Sequence, residues 1–213
     1  TGFIAYEITP RARIHIQAVE FKKIGEHKVD SLIQNYLDRE NPIESGTPFS
    51  LEKLKETRIE IADYLKRNGY YYFTSNNLIF EADTLNTESS NEAILELSVK
   101  DKVSELALVP FEIKNIKVYP KYSLNTSEEG MGSDTTVING VEFIQPEIFF
   151  RPDRLYPYLF FREGDYYDPE NEKWTNKRLN SLKTYRFINI RYQEDSTIEN
   201  NTGKLNANIY LSP

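Results

Sequence analysis

Residues 51–83 read LEKLKETRIEIADYLKRNGYYYFTSNNLIFEAD, and this stretch decides how the rest of the chain is read. Ser50 is a good N-cap, and Glu52 sits favourably at the positive end of a helix. Leu51, Leu54, Ile61, Ala62 and Leu65 form one apolar face at helical spacing. Gly69 stands where a left-handed C-terminal residue belongs. Residues 70–82 then predict a strand, and after a polar loop residues 93–100 predict another. Working upstream, residues 14–21 (IHIQAVEF) alternate as a strand. Val29, Leu32, Ile33, Tyr36 and Leu37 mark a further helix, which ends at Asn41-Pro42 because proline disfavours helix in the residue before it. Gly46-Thr47-Pro48-Phe49 is a turn. The order is strand, helix, helix, strand, strand.

That order recurs. Residues 111–119 (FEIKNIKVY) predict a strand, and residues 154–160 a short helical stretch introduced by Pro152. Gly164-Asp165-Tyr166-Tyr167 is a turn. Asp168-Pro169-Glu170 is a helix start with N-cap, proline and acidic first turn. Its helix carries Trp174, Arg178, Leu179, Leu182 and Tyr185. Residues 187–192 and 205–211 are the last strands. Gly46 and Gly164, Phe49 and Tyr167, Ser50 and Asp168, Thr57 and Thr175, Ile61 and Leu179 all stand 118 residues apart. Leu65 with Leu182, Tyr70 with Phe187 and Phe73 with Ile190 follow at 117. The fold class is therefore α+β, with two tandem βααββ units at 11–103 and 108–213. The second is expected to hold an insertion at about 121–150, of about 30 residues. It contains a polar tract at 125–135 and a hairpin at 137–143, where Asn139-Gly140 suits a type I′ turn.

Composition removes several function classes. A formal net charge of −7 argues against nucleic acid, which needs clustered Lys and Arg, and leaves no polybasic patch for anionic lipid. No cysteine is present, so no disulfide, thiol nucleophile or Cys-based metal site exists. No stretch has the roughly 18 apolar residues of a membrane helix. The opening TGFIAYEITP is expected to be the start of an excised fragment, so a missing targeting signal carries no information.

Residues 51–83 resemble the second-helix and hairpin segment of POTRA modules in Bacteroidetes surface-antigen proteins, the BamA/TamA-like group. Arg151-Pro152, Gly164 to Tyr167, Thr175, Leu179, Leu182 and Phe187 resemble the module that precedes the barrel in that group. Arg186 departs from the pattern, where a glycine often precedes the aromatic. Residues 6–10 (YEITP) resemble the last strand of an earlier module, so 1–10 is expected to be its remnant. The resemblance implies a three-stranded mixed sheet backed by two antiparallel helices in each module. It implies a periplasmic scaffold, attached to the outer membrane through a C-terminal β-barrel, that assembles or translocates outer-membrane proteins. The implied partners are unfolded outer-membrane protein clients, accessory assembly proteins and that barrel. No enzyme activity, cofactor or small-molecule substrate is implied. The second strand of each module is expected at an open edge, where backbone N–H and C=O groups accept an incoming strand. The expected client-facing positions are Tyr71, Phe73, Leu78 and Phe80, with Phe187, Asn189 and Arg191 in the second module. Two other readings are an arm serving one dedicated secretion partner and a periplasmic glycan-binding domain.

Other chemistry has little to stand on. His15 and His27 have no third nitrogen or sulfur ligand and read as surface residues. Asp165, Asp168, Glu170 and Glu172 are acidic but do not match a calcium loop, and Asp168 is accounted for by capping. Ser50 and Ser181 have no evident histidine base. Asn125-Thr126-Ser127 and Asn200-Asn201-Thr202 match a glycosylation sequon only loosely. Trp174 is expected to pack between helix and sheet, although it and Tyr70 to Tyr72 are aromatic enough to stack on a sugar.

Overall fold

In β3 (Glu92–Val99) the odd-numbered residues Ala93, Leu95, Leu97 and Val99 are buried and those between are half-buried. This is the period of two expected of a sheet packed on one face. β3 lies between β1 (His15–Lys22), which runs parallel to it, and β2 (Leu78–Asp83), which runs antiparallel. The helices α1 (Lys28–Glu40) and α2 (Leu51–Arg67) supply Val29, Ile33, Tyr36, Leu54 and Ile61 to the buried set. Asp30 is buried at the start of α1 and accepts hydrogen bonds from the backbone N–H groups of Ile24 (3.2 Å) and Gly25 (3.0 Å). That pairing satisfies a carboxylate which would be costly to bury alone. Asn41 ends α1 in a left-handed conformation, with φ of 39°, ahead of Pro42. The computed structural model describes residues 12–25, 27–85, 87, 89, 91–123 and 134–213, apart from the side chains of 196 and 197.

The second sheet contains β4 (Phe111–Tyr119), β5 (Thr135–Ile138), β6 (Val141–Ile144), β7 (Phe187–Glu199) and β8 (Thr202–Ser212), in the order β5-β6-β4-β8-β7. Its core joins Phe111, Ile113, Ile116 and Val118 of β4 to Leu205, Ala207, Ile209 and Leu211 of β8. α3 (Pro152–Leu155), a following 3-10 turn (Tyr156–Tyr158) and α4 (Pro169–Ser181) cover it with Leu155, Leu159 and Leu179. The Asp168 carboxylate caps α4 by accepting from the Glu170 N–H at 2.8 Å. Compact unit one takes the described residues up to Ala62 and from Thr74 to Val103; unit two takes Asp63–Phe73 and Ser104–Pro213.

The repeat holds at the level of single hydrogen bonds. Phe49 N–H donates to Ile14 C=O, Ile16 N–H to Thr47 C=O, and Gly46 N–H to Ile16 C=O. Tyr167 to Phe111, Ile113 to Asp165 and Gly164 to Ile113 reproduce the same three bonds. His15 bridges Pro48 as Glu112 bridges Tyr166. The same register shift interrupts the parallel pairs β1–β3 and β4–β8, between Ile16 and Ala18 in β1 and between Ile113 and Asn115 in β4. Equivalent residues stand 97 apart on the first strand and 118 apart at the turn, so the second repeat is 21 residues longer in between.

Several expectations need correction. The strand expected over 70–82 begins only at Leu78. Gly69 turns the chain with φ of +96°, and Ser75–Asn77 form a 3-10 turn closed by a reciprocal Thr74–Asn77 cap. The register through β3 and β8 equates Leu78 with Ile188, so the pairings of Tyr70 with Phe187 and Phe73 with Ile190 do not hold. The second sheet has five strands and not three, because the Asn139-Gly140 hairpin (φ 48° and 82°) adds β6 parallel to β4. The helix expected over 154–160 is one turn of α3 and the 3-10 turn, since Pro157 interrupts it. β7 continues past residue 192 to Glu199, closed by Asn200 and Asn201 at φ of 51° and 61°. The suggested remnant at 1–10 and the tract at 125–133, with its sequon, lie outside the described residues.

Candidate functional site: the open sheet edges

Among the described residues β2 is paired on one side only. The Lys100 N–H donates to Asn77 C=O, which fixes the phase of the antiparallel ladder. Ile79, Glu81 and Asp83 therefore direct their backbone groups at β3, and Leu78, Phe80 and Ala82 direct theirs to the free side. At Leu78 both groups are used: its N–H donates to Ser75 C=O, and its C=O accepts from the Arg58 guanidinium at 3.2 Å. The open edge thus consists of Phe80 and Ala82, flanked by the carboxylates of Glu81 and Asp83.

Of the four side chains expected there, Phe80 is half-buried and rests against the Ile16, Ile43, Leu54 and Leu95 cluster. Leu78 is on the strand and buried, and Phe73 is buried before the strand begins. Tyr71 lies elsewhere. It packs edge-on to Tyr167 (4.8 Å) and Tyr192 (5.9 Å), within the second unit. Its neighbour Tyr72 donates from its hydroxyl to Glu194 at 2.8 Å, and the Phe111 N–H donates to Gly69 C=O. Neither Tyr71 nor Phe73 therefore lies on β2. Burial pushes the nearby Glu172 carboxyl above its ordinary value, against the Tyr192 hydroxyl that donates to it.

In the second unit the outer strands are β7 and β5. Phe187 is 72% exposed at the start of β7, and Asn189 and Arg191 are exposed on the same face of the sheet. The Arg191 guanidinium lies over the Tyr210 ring at 5.6 Å, so it covers the sheet face and does not extend past the edge. Along the strand Glu194, Asp195 and Glu199 add charge, the kind of residue that discourages edge pairing. Sequence reasoning did not identify β5 as an edge. Its four residues, Thr-Thr-Val-Ile, carry no charge, and Val137 is 62% exposed. The signal was present in Val141 and Phe143, whose alternation about Asn139-Gly140 predicts a strand with one buried face.

Trp174 does not pack between helix and sheet. It is 45% exposed, 6.5 Å from the Phe160 ring, with the Lys177 ammonium over its face at 4.9 Å. Among the described residues no group of three His, Cys, Asp or Glu side chains could hold a metal ion, and no helix is long and apolar enough to cross a membrane.

Residues 14–102 match the family described as POTRA, surface antigen variable number repeat. No curated protein sequence matches the chain. BamA from Haemophilus ducreyi lacking POTRA domains 1–3 superimposes with a TM-score of 0.50 at 12% identity, over 94% of this chain and 29% of that one. The BamA POTRA3–5 fragment from Haemophilus influenzae gives 0.49 at 8% identity, over 95% of this chain and 61% of that one. The chain therefore spans less than two thirds of either. Residues 14–102, whose strand order is β1-β3-β2, thus match the POTRA family, and the second half of the chain repeats their bonds.

Proposed function

We propose that this chain is a periplasmic scaffold arm of an outer-membrane β-barrel assembly or translocation factor, receiving client polypeptide by strand addition. It consists of two modules, at 11–103 and 108–213, and catalyses no reaction. Its implied neighbours are unfolded outer-membrane protein clients, accessory assembly proteins and a membrane β-barrel that follows it in the same protein and holds it at the outer membrane. The observation that carries the reading is the outward backbone of Phe80 and Ala82, whose N–H and C=O groups are aimed away from β3 on a strand paired on one side. Main-chain bonds of this kind accept strands of many sequences, as a general client site requires. β7, with Phe187, Asn189 and Arg191, is the corresponding edge of the second module, and its charges make it the more selective of the two.

The test is a titration of the isotopically labelled chain with extended peptides ending in an aromatic residue. Amide shifts should concentrate in β2, and Ala82→Pro should weaken them at least about tenfold by removing an outward donor at a position where an edge tolerates proline. Shifts spread away from both β2 and β7, or unchanged binding by Ala82→Pro, would sink the reading.

A further inference from the structure

The inserted hairpin has a counterpart in the first module, a groove that no described strand covers. In the second unit β6 runs parallel to β4, with Ile116, Lys117 and Val118 opposite Val141, Glu142 and Phe143. Val141 and Phe143 are fully buried in one cluster with Ile116, Val118, Leu155 and Phe161. By the repeat's own offsets, Ile116 and Val118 correspond to Val19 and Phe21, and Leu155 and Phe161 to Leu37 and Ile43. These four first-unit residues line a groove of about 290 Å³ between β1 and the end of α1.

No described strand lies on that side of β1. Its first half is bonded to the turn at 46–49, and among the described residues the stretch from Val19 to Lys22 has no such cover. Val19, Phe21 and Leu37 are only half-buried, whereas their equivalents Ile116, Val118 and Leu155 are buried. In the second unit β6 lies over these positions.

We propose that this groove binds an extended segment of another polypeptide, running parallel to β1 and placing apolar residues at alternate positions over Val19, Phe21 and Leu37. β6 shows the register and the sequence type: an apolar residue, a polar one, then an aromatic, as in Val141-Glu142-Phe143. The second module carries such a strand in its own chain, and the first receives it from a partner. Backbone groups of β1 give the affinity, and the groove between strand and helix selects the pattern. This site is on the opposite edge of the sheet from β2. It rests on the reading that the module receives extended polypeptide, but its orientation and residue pattern are its own.

The probe is a synthetic peptide spanning residues 134–146 of this chain, titrated into the intact labelled chain. Shifts are expected at 19–22 and 37–43. A spin label at the peptide's N-terminus should broaden Val19 more than Lys22, as parallel pairing requires. Leu37→Glu in the chain should weaken binding at least about tenfold. So should a peptide with lysine at the positions of Val141 and Phe143, a control that leaves the protein's folding untouched. Ala82→Pro should leave this binding unchanged, so failure here is separable from failure at β2. Absence of shifts at 19–22, shifts confined to β2, or equal binding by the lysine peptide would overturn the proposal. Nuclear Overhauser contacts seating the chain's own residues 1–11 in the groove would overturn it as well.

Discussion

Thr57 and Thr175 occupy the same place in the two repeats, and both are buried. The Thr175 hydroxyl accepts from the Phe160 N–H at 3.0 Å. The Thr57 hydroxyl has no hydrogen-bond partner among the described residues. The position equivalent to Phe160 is Pro42, which has no N–H to give. One repeat uses the threonine to tie its short 3-10 turn to α4, while the other keeps the residue without the bond. Two further pairs diverge in the same way. Leu54 joins the apolar cluster under β1, whereas its equivalent Glu172 is a half-buried carboxyl beside Tyr192. Phe111 is buried over Gly203, whereas Ile14, its counterpart, is exposed. A shared backbone therefore supports two different side-chain solutions, and each difference can be tested by exchanging the residues.

The largest effect is expected at Gly203. A Cβ there would overlap the Phe111 ring, which is fully buried and has nowhere to go. Gly203→Asn, which copies the first repeat's Asn91, should destabilise the second unit by about 3 kcal/mol, the upper range of overpacking. Urea unfolding followed by the single tryptophan, Trp174, reads this directly. A loss below about 0.5 kcal/mol, the scatter of ordinary surface changes, would mean that Phe111 can move aside.

Next comes the threonine pair. Thr175→Val should cost about 2 kcal/mol, because it leaves the Phe160 N–H without its acceptor. Thr57→Val should be neutral or slightly stabilising, since it removes a buried hydroxyl that bonds nothing. Hydrogen exchange of the β3 amides reports the second variant and tryptophan fluorescence the first. Equal losses in both would break the comparison.

The smallest effect concerns pH. The Glu172 carboxyl has a folded pKa raised above its ordinary 4.5, chiefly by burial, with the Tyr192 hydrogen bond working the other way. The folded state then binds this proton more tightly than the unfolded state does. The stability so gained is fully present below the unfolded value and is lost as pH rises through the raised one. Glu172→Gln should remove that decline and flatten the stability profile over this window. A profile that keeps its slope would assign the dependence to other groups.

Much of this fold was legible because it rests on short-range rules. Alternation located β1, β3, β4 and β8 within a few residues, and Asp168-Pro169-Glu170 marked the start of α4. The parts that were missed depend on contacts distant in sequence or on local caps. Residues 70–73 look like an aromatic strand, but Gly69 and the Thr74–Asn77 cap turn the chain, and Tyr71 finds its partners about a hundred residues later. The far half of β7 reads QEDSTIE and lacks apolar alternation, so only its pairing with β8 reveals it. No periodicity could show that β6 would join β4. Of the expected edge positions, Leu78 and Phe80 lie on β2 and Tyr71 and Phe73 precede it, because alternation of side chains does not show where a backbone turns.

Amide hydrogen exchange along β2 tests the central claim most directly. In the free chain Ile79 and Glu81, bonded toward β3, should be protected, while Phe80 and Ala82 exchange at rates close to those of an open strand. A saturating client peptide should slow Phe80 and Ala82 and leave Ile79 and Glu81 as they were. Protection of Phe80 and Ala82 in the free chain, or no change on adding peptide, would contradict strand addition at this edge.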